Sequence, residues 1–308
     1  MIQNDLRIGC SIIFSVALVM TVHPRVRIGG VPEHYNAPFK KCEKLFEWTS
    51  YPGGTGAMLE ALEKNEIDIA VVLTEGAVKH SISSKGSTRI LGTFVNNPLP
   101  WGVHVSPSSG IQCMSDFNSR ISQLNFGISR FGSGSHLMAI VHAATLGLPA
   151  PQFRVVNNMD GAAKCMEANE IDTFLWDIPT ADKYTQKGVW NVIGQVSGDW
   201  PSFVLVVRQD VPEVTLKEIV EIVDQVRHAA NQITSGPIDL SAQYLCDEYK
   251  LTRNQAEQFL EKISWNCSFE VSKKVIETVK NSLRVSGIID GSESQHQIVH
   301  SRCREVDL

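Results

Sequence analysis

The chain has 308 residues, 43% of them hydrophobic and 20% charged, with a net charge of −5. A length of this order suits one large or two medium domains and buries enough apolar surface to fold without disulfide or metal staples. The slight acidity, with no block of Lys or Arg anywhere, argues against a nucleic-acid partner, which needs a basic stripe.

Residues 8–22 form an apolar run broken by Gly9, Ser11, Ser15 and Thr21. It is shorter than the ~20 residues a membrane-spanning helix needs. Residues 1–7 are barely positive and no A-x-A site follows. Three readings stay open for 1–24: a weak secretion signal, a packed or interfacial helix, or an upstream extension outside the fold. The fold proper is expected to start near Arg25.

Residues 26–31 read as a short strand ending in Gly-Gly, and 45–49 as a second one. Pro52-Gly53-Gly54-Thr55-Gly56 is a turn, with Thr55 placed to cap a helix running to about Lys64. Residues 67–73 are a nearly continuous apolar strand, the pattern of a sheet covered on both faces. Two more strands follow at 89–95 and 101–105, separated by Asn96-Asn97-Pro98-Leu99-Pro100. A strand at 124–128 leads into the glycine-serine loop Ser129-Arg130-Phe131-Gly132-Ser133-Gly134-Ser135 and a helix over 136–146, stopped by Gly147 and Pro149. A strand at 153–156, a helix from Asp160, a strand at 171–175, a helix at 180–186 and a strand at 190–193 continue the alternation. Such a series implies a doubly wound sheet. An apolar strand at 200–207 crosses back. Beyond it, 215–233, 240–249, 252–263 and 270–285 all show helical spacing, and the first carries the stripe Ile219, Val220, Ile222, Val223 and Val226. The polar tail after Gly291 is expected to fray.

One tetrad occurs twice: Asn65-Glu66-Ile67-Asp68 and Asn169-Glu170-Ile171-Asp172, each between a helix-like stretch and an apolar run. A helix, a polar turn and a buried strand written twice suggest two similar α/β lobes, and small-molecule sites favour the cleft between lobes.

Cysteines stand at 10, 42, 113, 165, 246, 267 and 303, an odd number with no C-x-x-C pair, so neither a disulfide framework nor a zinc site is expected. Cys165 falls on the apolar face of its helix and reads as a small core side chain.

Two glycine-rich turns, Gly53-Gly54-Thr55-Gly56 and Gly132-Ser133-Gly134-Ser135, each follow a strand and open a helix. Helix starts expose unpaired N–H groups and partial positive charge, so they attract anions. Either turn alone could be no more than a good cap; one in each half, at the same place in the unit, points to binding. The second turn has two glycines of G-x-G-x-x-G and lacks the third, a weak dinucleotide signal. Gly127-Ile-Ser129-Arg-Phe131 lacks the second glycine of a nucleophile elbow, and no P-loop, H-E-x-x-H or calcium loop is present. Glu33-His34-Tyr35, Thr74-Glu75 and Trp176-Asp177 sit at strand C-terminal ends, where open α/β sheets bind ligands. Arg130 reads either as an anion partner or as a solvated side chain. Trp101, Trp176 and Trp200 could line a cleft, although core packing is the commoner use of tryptophan.

The segments Val26-Arg-Ile-Gly-Gly-Val-Pro-Glu-His34, Tyr51-Pro-Gly-Gly-Thr-Gly-Ala-Met58, Glu66-Ile-Asp-Ile-Ala-Val-Val-Leu-Thr-Glu75, Gly127-Ile-Ser-Arg-Phe-Gly-Ser-Gly-Ser-His136 and Asp172-Thr-Phe-Leu-Trp176 resemble the type II periplasmic-binding-protein superfamily. They are most similar to a branch, with leaderless eukaryotic members, near the nitrate, sulfonate, taurine and thiamine-pyrimidine-precursor binding proteins. The likeness spans about residues 26–290. It implies a two-lobed α/β fold with doubly wound mixed sheets and a ligand cleft between the lobes. Lobe 1 would combine 25–104 with the return strand and helices of 200–290, lobe 2 would be 105–199, and 291–308 a tail. It also implies that Pro32, Glu33, His34, Gly53, Gly54, Thr55, Thr74, Ser129, Arg130, Gly132, Ser133, Gly134, Ser135 and Trp176 face the ligand. One departure stands out: residues 39–46 leave room for about two turns where such proteins carry a longer helix and loop, which puts one wall of lobe 1 in question.

The expectation is a non-catalytic, monomeric binder of a small, anionic or polar organic solute, closing by a hinge, without cofactor, with a membrane transporter as a conceivable partner. The rival is an enzyme of the pyrimidine-precursor-synthase or thiaminase kind on the same fold, for which Lys164 is the nearest lysine candidate. A ligand-sensing regulatory module is the third reading, without a DNA-binding segment in the chain. Unpaired cysteines favour a reducing compartment and the N-terminal run favours export; the balance falls to the cytoplasm.

Overall fold

The computed structural model describes residues 25–290 and 297–307. The readings of 1–24 and of the first part of the tail lie outside these residues. Lobe 1 opens with β1 (Arg27–Gly30), α1 (Ala37–Lys41), β2 (Glu47–Ser50), α2 (Thr55–Glu63), β3 (Ile69–Leu73), α3 (Thr74–Ser83) and β4 (Thr88–Val95). The chain crosses into lobe 2 through β5 (Trp101–Val105), then α4 (Met114–Arg120), β6 (Asn125–Ile128), α5 (Gly134–Thr145), β7 (Gln152–Val155), α6 (Met159–Glu167), β8 (Thr173–Trp176), α7 (Ile178–Gln186) and β9 (Asn191–Val196). It returns through β10 (Phe203–Arg208) and ends in α8 (Glu213–Ser235), α9 (Ile238–Tyr249), α10 (Arg253–Lys262), β11 (Trp265–Ser268), β12 (Glu270–Ser272), α11 (Lys273–Val285) and β13 (Arg304–Val306).

The sheets run β11-β4-β10-β3-β1-β2 and β7-β6-β8-β5-β9. The plan is the same in both. In each lobe the first strand pairs parallel with the second and third. A crossing strand then lies antiparallel between the third and fourth: β10 in lobe 1, β5 in lobe 2. β3 is buried along its whole length and β10 is buried up to Val207, as expected of apolar strands with helices on both faces.

The repeated tetrad does the same structural work in both lobes. Asn65 and Asn169 adopt left-handed conformations, with φ of 58° and 57°, just past α2 and α6. The N–H of Glu66 donates to Ala61 and that of Glu170 to Cys165, closing each helix with a Schellman-type bond. Asp68 Oδ2 accepts the Arg27 N–H at 2.9 Å, and Asp172 Oδ2 accepts the Asn125 N–H at 2.8 Å, so each aspartate pins the start of its lobe's first strand. Ile67 and Ile171 pack so tightly on Gly29 and Gly127 that a Cβ there would lie 2.6 Å from each isoleucine Cδ1. The duplication is therefore a scaffold feature, and it places no chemistry in the cleft.

Several elements differ from the sequence expectation. α3, α4 and β11 had no predicted counterpart. The stretch 270–285 splits, because Glu270–Ser272 pairs with Arg304–Val306 before the helix begins. Residues 297–307 do not fray: Val299 bridges Ile90, and Ile298, Val299 and Cys303 are buried against lobe 1. The short segment after Pro38 forms one helical turn and a 3-10 turn, and still closes the core. Phe39 is fully buried, with its ring 5.1 Å from Phe94, 5.9 Å from Trp48 and 6.0 Å from Phe46. Among the described residues the six cysteines are free, and no helix is long and apolar enough to cross a membrane.

Candidate functional site

A cavity of about 40 Å³ lies where the lobes meet. Lobe 1 lines it with Val31 and Glu33 after β1, Gly53, Gly54 and Thr55 at the start of α2, and Leu73 at the end of β3. Lobe 2 contributes Ser129 after β6, Ser133, Gly134 and Ser135 at the start of α5, and Trp176 and Asp177 after β8. Leu99, Trp101 and Phe203 close it from the crossing segments. The C-terminal ends of parallel strands and the N-terminal ends of helices thus converge from both sides, where such sheets place their ligands.

The two helix starts are built differently. α5 is capped by Ser133, whose Oγ accepts the His136 N–H at 3.4 Å. Ser135 Oγ accepts the Ser129 N–H at 3.4 Å, and the two serine hydroxyls are 3.1 Å apart. One of them donates to the other, so one hydroxyl proton remains free beside the cavity. α2 has no side-chain cap. Gly54 is its N-cap, with φ 75° and ψ −160°, and Thr55 lies inside the first turn. Thr55 therefore does not cap, as the sequence suggested; its Oγ1 accepts the Leu73 N–H at 3.1 Å and keeps its own proton to donate. Gly132, with φ 81°, supplies the left-handed residue that turns the chain into α5 and does not line the cavity.

Arg130 lies outside the cavity wall, over the start of α2. Its Nη2 donates to the Gly54 carbonyl at 3.1 Å. A Cβ on Gly53 would lie 2.7 Å from Arg130 Nη1, and one on Gly56 2.9 Å from Nε. The glycines thus make room for a lobe 2 guanidinium on lobe 1. Gly134 is the reciprocal contact: a Cβ there would collide with Leu73 and lie 2.7 Å from Trp101.

Other candidates sit elsewhere. Pro32 is exposed and borders an outer hollow with Lys40 and Trp48. Thr74 is fully buried, donates its hydroxyl to the Pro201 carbonyl, and anchors the return crossing instead of facing the cavity. His34 is buried in an aromatic cluster, 4.3 Å from Phe259 and 4.7 Å from Tyr35 between ring centres. It borders a neighbouring hollow of about 490 Å³ that shares Asp177 with the cavity. Burial lowers the His34 pKa, partly offset by Asp177. Trp200 packs on Gly198 and donates its Nε1–H to Glu75 at 3.0 Å, so it serves a crossing segment and not the cleft wall. Lys164 is exposed on α6, away from the cavity. Sequence reasoning missed Val31, Leu73, Leu99 and Phe203, which are apolar strand-end and crossing residues with no signal beyond their position.

The carboxyl groups are distinctive. Glu33 is held well above the usual carboxylate range, first by its removal from water and then by Asp177. Asp177 Oδ2 caps α7, accepting the Thr180 N–H at 3.0 Å and the Thr180 hydroxyl at 2.9 Å. Trp176 Nε1 is buried without a hydrogen-bond partner. Among the described residues no cluster of His, Cys, Asp and Glu is arranged to hold a metal ion.

Two lobes of matching topology joined by two crossings, with helix starts facing one cavity, define a type II periplasmic-binding-protein fold. A family profile described as Ca3427-like PBP matches residues 105–196. The structure is similar to that of the Candida albicans CA3427 gene product, which defines a family with the generic periplasmic binding protein fold (TM-score 0.75, 24% identity, 89% of this chain and 92% of that one). It also resembles the alkanesulfonate-binding protein SsuA of Xanthomonas axonopodis pv. citri bound to MOPS (0.71, 14%, 91% and 98%). A third likeness is to the periplasmic nitrate-binding protein NrtA of Synechocystis PCC 6803 (0.59, 14%, 79% and 71%). By sequence, no curated protein matches significantly. The resemblance read from the sequence holds at the level of the fold.

Proposed function

We propose that the chain binds a small polar organic solute between its lobes, without catalysis, and that the solute's acidic group is held at the starts of α2 and α5. The observation that carries this reading is the uncapped start of α2 under Arg130. A guanidinium above the positive end of a helix is unfavourable by itself. An anion placed there meets the first-turn N–H groups, the Thr55 hydroxyl and the spare serine proton together, with the guanidinium just outside the wall adding its field.

The cavity of about 40 Å³ has room for roughly three water molecules and not for a whole solute, so loading requires the lobes to part. Segments 96–100 and 197–202 are the crossings about which they would do so, and contacts made only in the closed form drive the return. Calorimetry against sulfonates, carboxylates, phosphorylated compounds and pyrimidines, with small-angle scattering of the same samples, tests this. A binder that reduces the radius of gyration is expected. A folded, monomeric protein that binds none of these classes would refute it.

A further inference from the structure

We propose that the solute is a zwitterion, and that Glu33 of lobe 1 and Asp177 of lobe 2 bind its ammonium group across the cleft. This rests on the reading of the cavity as the solute site. The Glu33 carboxyl accepts no hydrogen bond from any described residue, whereas Asp177 is engaged by the Thr180 N–H and hydroxyl at its Oδ2 and by the Tyr35 hydroxyl. None of these donors to Asp177 is a cation. No Lys or Arg lines the cavity; Arg130 lies over the start of α2 instead. Two carboxylates on opposite lobes therefore meet with no protein cation between them.

The remaining wall suits a cation. Trp101, Trp176 and Phe203 offer aromatic surfaces, which attract ammonium groups. The cavity also has a direction. Asp177 is shared with the hollow beside His34, and Glu33 with the hollow beside Lys40, whereas Gly54, Thr55, Ser133 and Ser135 border neither. A simple anion would satisfy the helix starts and leave the two carboxyl groups without a counter-ion. A simple cation would leave the helix starts and free hydroxyl protons unmatched. A compact molecule with an ammonium a few bonds from a sulfonate or carboxylate satisfies both. It also couples binding to closure: in the closed cleft without a cation, burial and Asp177 drive Glu33 to take up a proton, whereas an ammonium between them favours the ionised pair.

The test is calorimetry at pH 7 with 2-aminoethanesulfonate, ethanesulfonate, ethylamine and a panel of short ω-amino acids beside their deaminated counterparts, on the wild-type protein and on Glu33→Gln. For at least one pair the amino compound is expected to bind roughly tenfold or more tightly than its deaminated partner, and Glu33→Gln to erase that preference. The inference is overturned if deaminated anions bind as well as their amino partners. It is also overturned if Glu33→Gln keeps the preference, since a neutral amide then suffices and Glu33 acts as a protonated donor. If no acid of either kind binds the folded protein, the solute-site reading fails and this inference falls with it. A second readout needs no ligand: because the amide is neutral and needs no proton uptake on burial, unliganded Glu33→Gln at pH 7 is expected to be at least as thermostable as wild type. A clear loss of stability counts against an unpartnered carboxylate.

Discussion

Glu75 offers the sharpest test of the burial argument. It is the second residue of α3, is only 2% exposed, and accepts the Trp200 Nε1–H at 3.0 Å through Oε2, while Oε1 has no partner. Burial pushes its pKa up from 4.5 to about 7; hydrogen bonds from its own backbone N–H and from Trp200 oppose this only in part. Below pH 4.5 the group is protonated folded or unfolded. Between pH 4.5 and 7 the folded chain holds a proton the unfolded chain has released, so stability falls as pH rises. Above pH 7 the loss levels off on the order of 3 kcal/mol. Glu75→Gln keeps an acceptor for Trp200 and removes the titration. Relative to wild type, the variant should gain on the order of 3 kcal/mol between pH 4 and pH 8, roughly 6–12 °C in Tm for a domain of this size. Denaturant titrations of both proteins across that range provide the measurement, and subtraction cancels every other titrating group. Any constant offset from the amide's extra N–H does not matter, because the slope is the readout. Parallel pH profiles would show that Glu75 is ionised and solvated in the fold, and would refute the reasoning.

Three further outcomes follow from the same geometry. Gly134→Ala places a methyl against Leu73 and Trp101, so it should keep the lobes apart. Scattering should then show no ligand-induced contraction, affinity should drop by tenfold or more, and Tm should change little. Asp172→Ala removes the acceptor for the Asn125 N–H; it should cost about 1–3 kcal/mol by denaturation and leave the affinity of any bound solute intact. His104 is fully buried and its pKa is pushed down to about 4 by burial. Its contribution is fully present above pH 6.5 and lost as pH falls towards 4, the opposite limb to Glu75, so His104→Asn should flatten the acid side of the stability profile.

The fold was legible from the sequence because its signals are local and doubled. Apolar strands such as 69–73 and 203–207 read directly, as did the tetrad that ends α2 and α6. What escaped notice was set by tertiary context. α3 begins at the residue after β3, so Thr74 and Glu75 read as a strand end when they open a helix. Glu270–Ser272 is a strand only because residues 304–306, distant in sequence, supply its partner. The serines and glycines of the cleft could be found from turn chemistry, since helix starts carry composition. The apolar contributors Leu73, Leu99 and Phe203 could not, since a leucine at a cleft wall looks like any core leucine. The role of Trp200 depends on the distant Glu75, which no local pattern reveals.

The comparison of the lobes shows where binding and scaffold part company. Where the lobes repeat each other in sequence, at Asn65 to Asp68 and Asn169 to Asp172, both copies are used up in internal hydrogen bonds, and neither reaches the cavity. Where they differ, the cleft begins. Lobe 2 caps its helix with Ser133, fixes Ser135 on the Ser129 N–H, and so presents a preset surface. Lobe 1 leaves α2 uncapped, with Gly54 in a conformation open to glycine and Arg130 of the opposite lobe above it. Under the proposed binding mode the asymmetry predicts an order of events: solute docks first on the finished lobe 2 surface, and α2 receives its cap only as lobe 1 arrives. Under that order Ser135→Ala should slow association, whereas Arg130→Ala should leave the association rate nearly unchanged and speed dissociation, because its contact with Gly54 exists only once the lobes have met. Stopped-flow fluorescence using the cleft tryptophans separates the two. Equal effects of both variants on association would mean that the lobes engage the solute together.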